Sequence, residues 1–278
     1  MPRRSLAGAV SLGLAALLSV SLPPLADAKN ASAADAGWTW SSATNPAGSA
    51  SVPGGTSGGG VWLWGGVFYV PGVGHMNTLG EERWETAPTG SGLIGRATHS
   101  TRPGSRKSPD IGLIATGVRP VEPRIRVSEA WKDAAISDVA HSTLPRGVEV
   151  CHSGTSAPTI GYGGYRCGTV HRDCERSRST YCVVHHVDGL VYGGGSGGPV
   201  WRYDGSGGIV LLGWVRGQLN AGPRGVAPDG TSQFMTFEPV WNLQNQSWTD
   251  GQTLTTWGFP AGSDENACFV TTNGCVRS

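Results

Sequence analysis

The run Gly193-Gly194-Gly195-Ser196-Gly197-Gly198-Pro199-Val200 places one serine among five glycines, just ahead of an apolar stretch. Glycine lets the backbone turn sharply and approach a ligand closely. It also leaves successive backbone N–H groups free to converge on one point. An exposed hydroxyl beside convergent N–H donors is what an acyl-transfer nucleophile requires. A plain flexible loop would show the same run in a chain with 44 glycines. The two readings separate on whether Ser196 has a base within reach, and that base an orienting carboxylate.

Histidines stand at positions 75, 99, 141, 152, 171, 185 and 186. His75 ends the run Phe68-Tyr-Val-Pro-Gly-Val-Gly-His75, and Asp110 heads Ile111-Gly-Leu-Ile. A histidine after one strand and an aspartate before another can face each other in one barrel. His99 is the second candidate base but lies close to Asp110 in sequence. An ordinary strand-end histidine and an exposed turn aspartate are the alternatives to these roles.

The elements that must position these residues are short. Val61-Trp-Leu-Trp, Gly66-Val-Phe-Tyr-Val, Leu93-Ile-Gly and Ile111-Gly-Leu-Ile-Ala-Thr read as strands, rich in β-branched and aromatic residues and bounded by Gly and Pro. Gly147-Val-Glu-Val-Cys151, Tyr165 to Val170, Tyr181-Cys-Val-Val, Ile209 to Val215 and Gln233 to Phe237 continue the style. Val127 to Val139 is the one helical-looking patch in the middle, and Pro239 to Gln244 predicts a brief terminal helix. Many short strands without a visible repeat point to barrels or sandwiches rather than a solenoid or propeller.

Residues 1–28 have the layout of a secretory signal peptide: Arg3 and Arg4, an apolar stretch from Leu6 to Leu22, and Ala26-Asp27-Ala28. A retained anchor is the alternative reading. Residues 29–60 are rich in Ala, Ser, Gly and Pro and read as a disordered leader. The remainder is long enough for real cores, expected as two units, 61–140 and 141–278. A net charge of +1 gives no pointer to nucleic acid or to an anionic membrane.

Cys151, Cys167, Cys174, Cys182, Cys268 and Cys275 are an even set in an exported chain and read as disulfides. Pairing of nearest neighbours, 151–167, 174–182 and 268–275, closes short loops. Zinc held by cysteines with His152, His171, His185 and His186 is the rival, although no Cys-x-x-Cys spacing occurs. The eleven tryptophans suit cores and rims, or stacking on carbohydrate.

Four segments, in order, resemble the chymotrypsin-type serine peptidases, and most of all their secreted bacterial streptogrisin and alpha-lytic branch. They are Phe68 to His75, Ser108-Pro-Asp-Ile-Gly-Leu-Ile, Val150-Cys-His-Ser-Gly154 through Arg166-Cys-Gly-Thr-Val170, and Gly194-Gly-Ser-Gly-Gly-Pro199. The resemblance implies an all-β fold of two six-stranded antiparallel barrels with a short C-terminal helix, His75 and Asp110 on the first, Ser196 on the second. It implies Ser196 as nucleophile, His75 as general base and then acid, and Asp110 as the orienting carboxylate. Gly194 and Ser196 would supply the oxyanion N–H groups. Leu190, Trp214, Val215, Arg216 and Gly217 would border the substrate pocket, with Leu190 disfavouring basic side chains. The implied partner is a protein or peptide substrate of a secreted enzyme needing no metal or other cofactor, with a monomer as the default state.

The sequence departs from that pattern at several places. Gly195 replaces an aspartate that restrains the serine loop in the family. Met76 follows His75 where a cysteine is common, and Val73 replaces an alanine. Arg216 falls near a position where the family has a serine touching the triad aspartate. A cation there would restrain the charge of Asp110, unless the side chain simply faces solvent. These departures sustain a second reading, a weak or inactive relative acting as an extracellular or envelope binding protein. A carbohydrate-binding module is the third.

Overall fold

A computed structural model describes residues 51–52, 55–56, 58–87, 90–101, 108–117, 123–127, 133–154, 165–186, 195–218, 233–246, 248 and 267–277. Seventeen strands are numbered along the chain among these residues. The first half holds β1 (Ser51–Val52), β2 (Gly55–Thr56), β3 (Val61–Trp64), β4 (Val67–Gly72), β5 (Glu82–Ala87), β6 (Gly90–Ser100), β7 (Gly112–Gly117), β8 (Arg124–Arg126) and β9 (Asp133–Val139). The second holds β10 (Glu149–Ser153), β11 (Tyr165–Val170), β12 (Cys182–His185), β13 (Pro199–Tyr203), β14 (Ile209–Gln218), β15 (Phe234–Pro239), β16 (Cys268–Thr271) and β17 (Gly274–Val276). The short helix α1 (Val240–Gln244) follows β15 directly.

The architecture is all-β with a short helix, consistent with the expected double barrel: one six-stranded barrel is closed, and the second unit is a sheet of nine strands. One sheet runs β13-β10-β11-β12-β15-β14-β9-β8, and β13 also pairs with β14. That extra ladder closes six strands, β13-β10-β11-β12-β15-β14, into a barrel. The other sheet is a run of nine, β17-β16-β3-β4-β7-β6-β5-β1-β2. Closure explains the sequence of β14: Ile209 to Val215 are all buried, so the strand reads as an unbroken apolar run rather than an alternation.

Several boundaries differ from the sequence reading. Residues 51–56, assigned to the disordered leader, contain the β1–β2 pair, which joins β5 through Ser51 and Thr86. Asp133–Val139, read as helical, is β9. Ala134, Ile136 and Val139 are buried, while Ala135, Ser137 and Asp138 are partly exposed. Its pairing with β8 and, in parallel, with β14 overrides the helical preference of its alanines. Pairings also cross the expected division at 140/141. β9 belongs to the sheet of the second half, and β16 pairs with β3 of the first. The signal-like residues 1–28 lie outside the described residues.

All six cysteines are paired as 151–167, 174–182 and 268–275. Cys151 and Cys167 sit opposite each other in the β10–β11 register. Glu149 clusters with this pair, but both sulfurs are already bonded to one another and no thiolate is left for zinc. Replacing Cys151 and Cys167 together by alanine reopens a loop with a sequence separation of 16. Unfolding in urea should then show a loss of about 3 kcal/mol.

Candidate active site

Strand register brings His75 to Asp110. β4 and β7 are antiparallel, with Gly72 opposite Gly112 and Pro71 opposite Leu113. The residues just after β4 therefore lie beside those just before β7. His75 sits in a single 3-10 turn, Gly74–Met76. Its Nδ1 lies 2.6 Å from Asp110 Oδ2, and its backbone N–H donates to Asp110 Oδ1 at 2.8 Å. A carboxylate accepts from both, so Nδ1 carries the hydrogen and Nε2 is the basic nitrogen. The His75 side chain is 37% exposed, whereas that of Asp110 is 2% exposed. A buried aspartate under a half-open imidazole is the geometry of an oriented base.

The turn that carries His75 is secured by hydrogen bonds in place of a neighbouring cysteine. Ser100 Oγ donates to Gly74 O at 2.8 Å, and Asn77 N–H donates to the same oxygen at 2.9 Å. Asn77 Nδ2 also donates to Val73 O. Met76 packs against the core instead of stapling the turn. A Cβ on Gly74 would stand 2.6 Å from Ile111 O and 2.9 Å from Thr101 O. Glycine is needed here for close approach to the backbone of Ile111 and Thr101, next to Asp110.

Ser196 is half-buried in the turn 195–198 that leads into β13. Gly198 N–H donates to Gly195 O at 3.0 Å, and Gly197 N–H donates to Val215 O at 2.8 Å. Val215 N–H donates back to Gly198 O at 2.7 Å. The loop is thus tied to β14 on both sides despite the glycine at 195. Gly197 has φ +84°, and a Cβ on Gly198 would meet Ser153 O at 2.3 Å. Among the described residues no hydrogen bond joins the Ser196 hydroxyl to His75. Gly194 and Leu190 lie outside the described residues.

The expected pocket residues do not act alike. The Trp214 side chain is buried and donates from Nε1 to Gly59 O at 2.7 Å. Its ring faces Phe269 of the first sheet. Val215 is buried and spends its backbone on the serine loop. Gly217, at φ +153°, follows a register shift after Val215, beyond which β14–β15 pairing resumes at Gly217–Thr236 and Gln218–Met235.

Arg216 does not face solvent: its side chain is 10% exposed. Its Nε lies 3.8 Å from Asp110 Oδ2, and Nη1 lies 3.4 Å from Glu238 Oε2. Its guanidinium also sits 5.5 Å from the centroid of Tyr181. Buried hydrogen-bonding partners and an aromatic face hold it inward. Glu238 was not singled out from sequence. It is fully buried at the end of β15, accepts the Asp110 N–H at 3.0 Å on Oε2, and accepts Asn242 Nδ2 at 2.6 Å on Oε1. Burial pushes it up to about 7, against the lowering effects of Asn242, the Asp110 amide and Arg216. An acidic residue inside the β15 apolar run Phe234-Met-Thr-Phe-Glu-Pro was the available signal.

Of the other histidines, His141 is exposed with Nε2 3.2 Å from Asp138 Oδ1, and the remaining five pack against aromatic or histidine rings. His99 packs among Trp64, Tyr69 and Trp248 and shares a hydrogen bond with Thr98. Burial lowers it to about 4 from an ordinary 6.5. His152 and His186 stack edge to face in the second half, and burial holds His152 well below its usual range. His171 and His185 both pack on Phe234.

His99 predicts an acid weakness of the fold. The unfolded chain takes up its proton near pH 6.5 and the folded chain near 4, so the contribution is complete above 6.5 and is lost as pH falls toward 4. Urea unfolding at pH 7 and pH 4 should show His99 accounting for on the order of 3 kcal/mol of the difference. A folded His99→Gln variant should lack that share. At the serine loop, Gly198→Ala should displace Ser153 or the turn itself and cost at least about 2 kcal/mol in the same assay.

No protein-family model and no curated protein matches the chain. Among solved structures, the Nocardiopsis protease is 19% identical over 72% of this chain and 94% of its own, with a TM-score of 0.48. Protease A from Thermobifida fusca is 18% identical over 79% and 98%, with a TM-score of 0.47. An alpha-lytic protease homolog is 16% identical over 72% and 95%, with a TM-score of 0.46. The chain is similar to the structures of bacterial chymotrypsin-like serine proteases.

Proposed function

We propose that the chain is a secreted serine endopeptidase that hydrolyses peptide bonds through an acyl-enzyme. The observation that carries this reading is the His75–Asp110 pair, with a buried carboxylate on Nδ1 and on the His75 amide. Ser196 Oγ attacks the scissile carbonyl while His75 Nε2 takes its proton. The N–H groups of Gly194 and Ser196 hold the developing oxyanion. His75 then hands its proton to the departing amine, and water repeats the sequence on the ester. Asp110 keeps the imidazole in the right tautomer and offsets its charge.

The hydrogen bonds between the serine turn and Val215 support a turn held in one shape without the aspartate that Gly195 replaces. Three disulfides support an extracellular or envelope setting. The absent Ser196–His75 hydrogen bond favours the second reading, a catalytically silent binding protein of the same fold. Such bonds often form only once substrate is bound, and the labelling below separates the two.

A fluorophosphonate probe should label the folded protein on Ser196, and Ser196→Ala should abolish the adduct. Asp110→Asn should lower kcat on a peptide substrate by on the order of ten-thousand-fold. Absence of any adduct on folded wild type sinks the enzyme reading. In a peptide panel varied on the N-terminal side of the cleaved bond, small or apolar residues should outperform Arg and Lys. Cleavage confined to basic residues would remove Leu190 from the pocket.

A further inference from the structure

Two opposite charges lie behind the His75–Asp110 pair. Arg216, on β14, and His75 approach the same oxygen of Asp110, at 3.8 and 2.6 Å. Unopposed, that cation would draw the Asp110 charge away from the imidazole. Glu238, on β15, opposes it: Oε2 lies 3.4 Å from Arg216 Nη1 and also accepts the Asp110 N–H. Asn242, on α1, fixes the other oxygen and itself donates to Thr180 O at 2.7 Å. A buried carboxylate is kept only where charges and donors compensate it, and here each compensating group touches the catalytic aspartate or its neighbours.

We propose that Glu238 is a positioning residue of the His75–Asp110 pair, its carboxylate neutralising Arg216 and holding the Asp110 amide so that the Asp110 charge stays directed at His75. The purpose of this role rests on the hydrolytic reading above; its geometry does not. With Glu238 charged, Arg216 and Glu238 cancel and Asp110 presents one net negative charge to the imidazole. With Glu238 neutral, Arg216 and Asp110 cancel, and the protonated imidazole loses its partner. The base is then weaker. The titratable or charged groups around Glu238 among the described residues are Arg216 and Asp110 directly, Tyr181 through Arg216, and His75 through Asp110.

The test follows His75 ring protonation by NMR in the full-length protein, alongside fluorophosphonate labelling of the same samples. Glu238→Gln keeps the shape and removes the charge. The pH at which the ring protonates should fall by on the order of one unit, because Arg216 then offsets the Asp110 charge beside the ring. Arg216→Gln combined with Glu238→Gln should bring it back toward the wild-type value. Should Glu238→Gln fail to fold, Asn242→Ala removes a donor to the carboxylate and should move the ring in the same direction by a smaller amount. A folded Glu238→Gln or Asn242→Ala protein whose ring protonates as in wild type overturns the role, even if Ser196 is labelled. A shifted ring with no labelling of wild type supports the role and sinks the hydrolase reading instead.

Discussion

The ladder between β13 and β14 is the constraint from which the rest follows. It closes the barrel, and it is made in register from Pro199–Trp214 to Tyr203–Ile209 with one irregularity after Val200. Because β14 also pairs with β15 and β9, its backbone is committed along most of its length. The serine turn hangs from the start of this ladder, and Val215 ties it there with two hydrogen bonds. One residue later on the same strand, Arg216 reaches Asp110 in the other half of the molecule. A single strand of the closed barrel therefore places both the Ser196 turn and the cation beside Asp110.

The site has its parts on elements that fold from both sheets. Asp110 leads into β7 of one, while Arg216 and Glu238 end β14 and β15 of the other. The contacts Asp110–Glu238 and Asp110–Arg216 are thus among the polar ties between the two halves. Their partners are nearly solvent-free, where each charge is costly unless matched. A small relative displacement of the sheets would unmatch them, so the polar seam favours one relative placement of the halves over its neighbours.

Much of this was legible from residue types. The strands around His75 and Asp110 announced themselves by β-branched and aromatic residues between glycines, and the cysteines by the shortness of their nearest-neighbour loops. The helical reading failed over Asp133–Val139, residues 128–132 lying outside the described residues, because Ala-rich segments carry no information about a partner strand; β9 exists through β8 and β14. Residues 51–56 looked like leader because two-residue strands leave no period to detect. Arg216 was placed near Asp110 by counting along the chain, but its direction depended on Glu238, a residue distant from Asp110 in sequence (|i−j| of 128). A lone acid in an apolar strand marks a buried charge without saying which cation or amide meets it.

The hairpin of β16 and β17 completes the first sheet by pairing Cys268, Phe269 and Val270 with Leu63, Trp62 and Val61. During synthesis, β3 leaves the ribosome long before its partner exists. Its outer edge, with Val61, Trp62, Leu63 and Trp64, must wait as an unpaired template for other chains. Contacts of such long sequence separation also form slowly. The β16–β17 hairpin thus acts as a late closure on β3, and a chain truncated before Cys268 would leave that edge open to strand-to-strand aggregation.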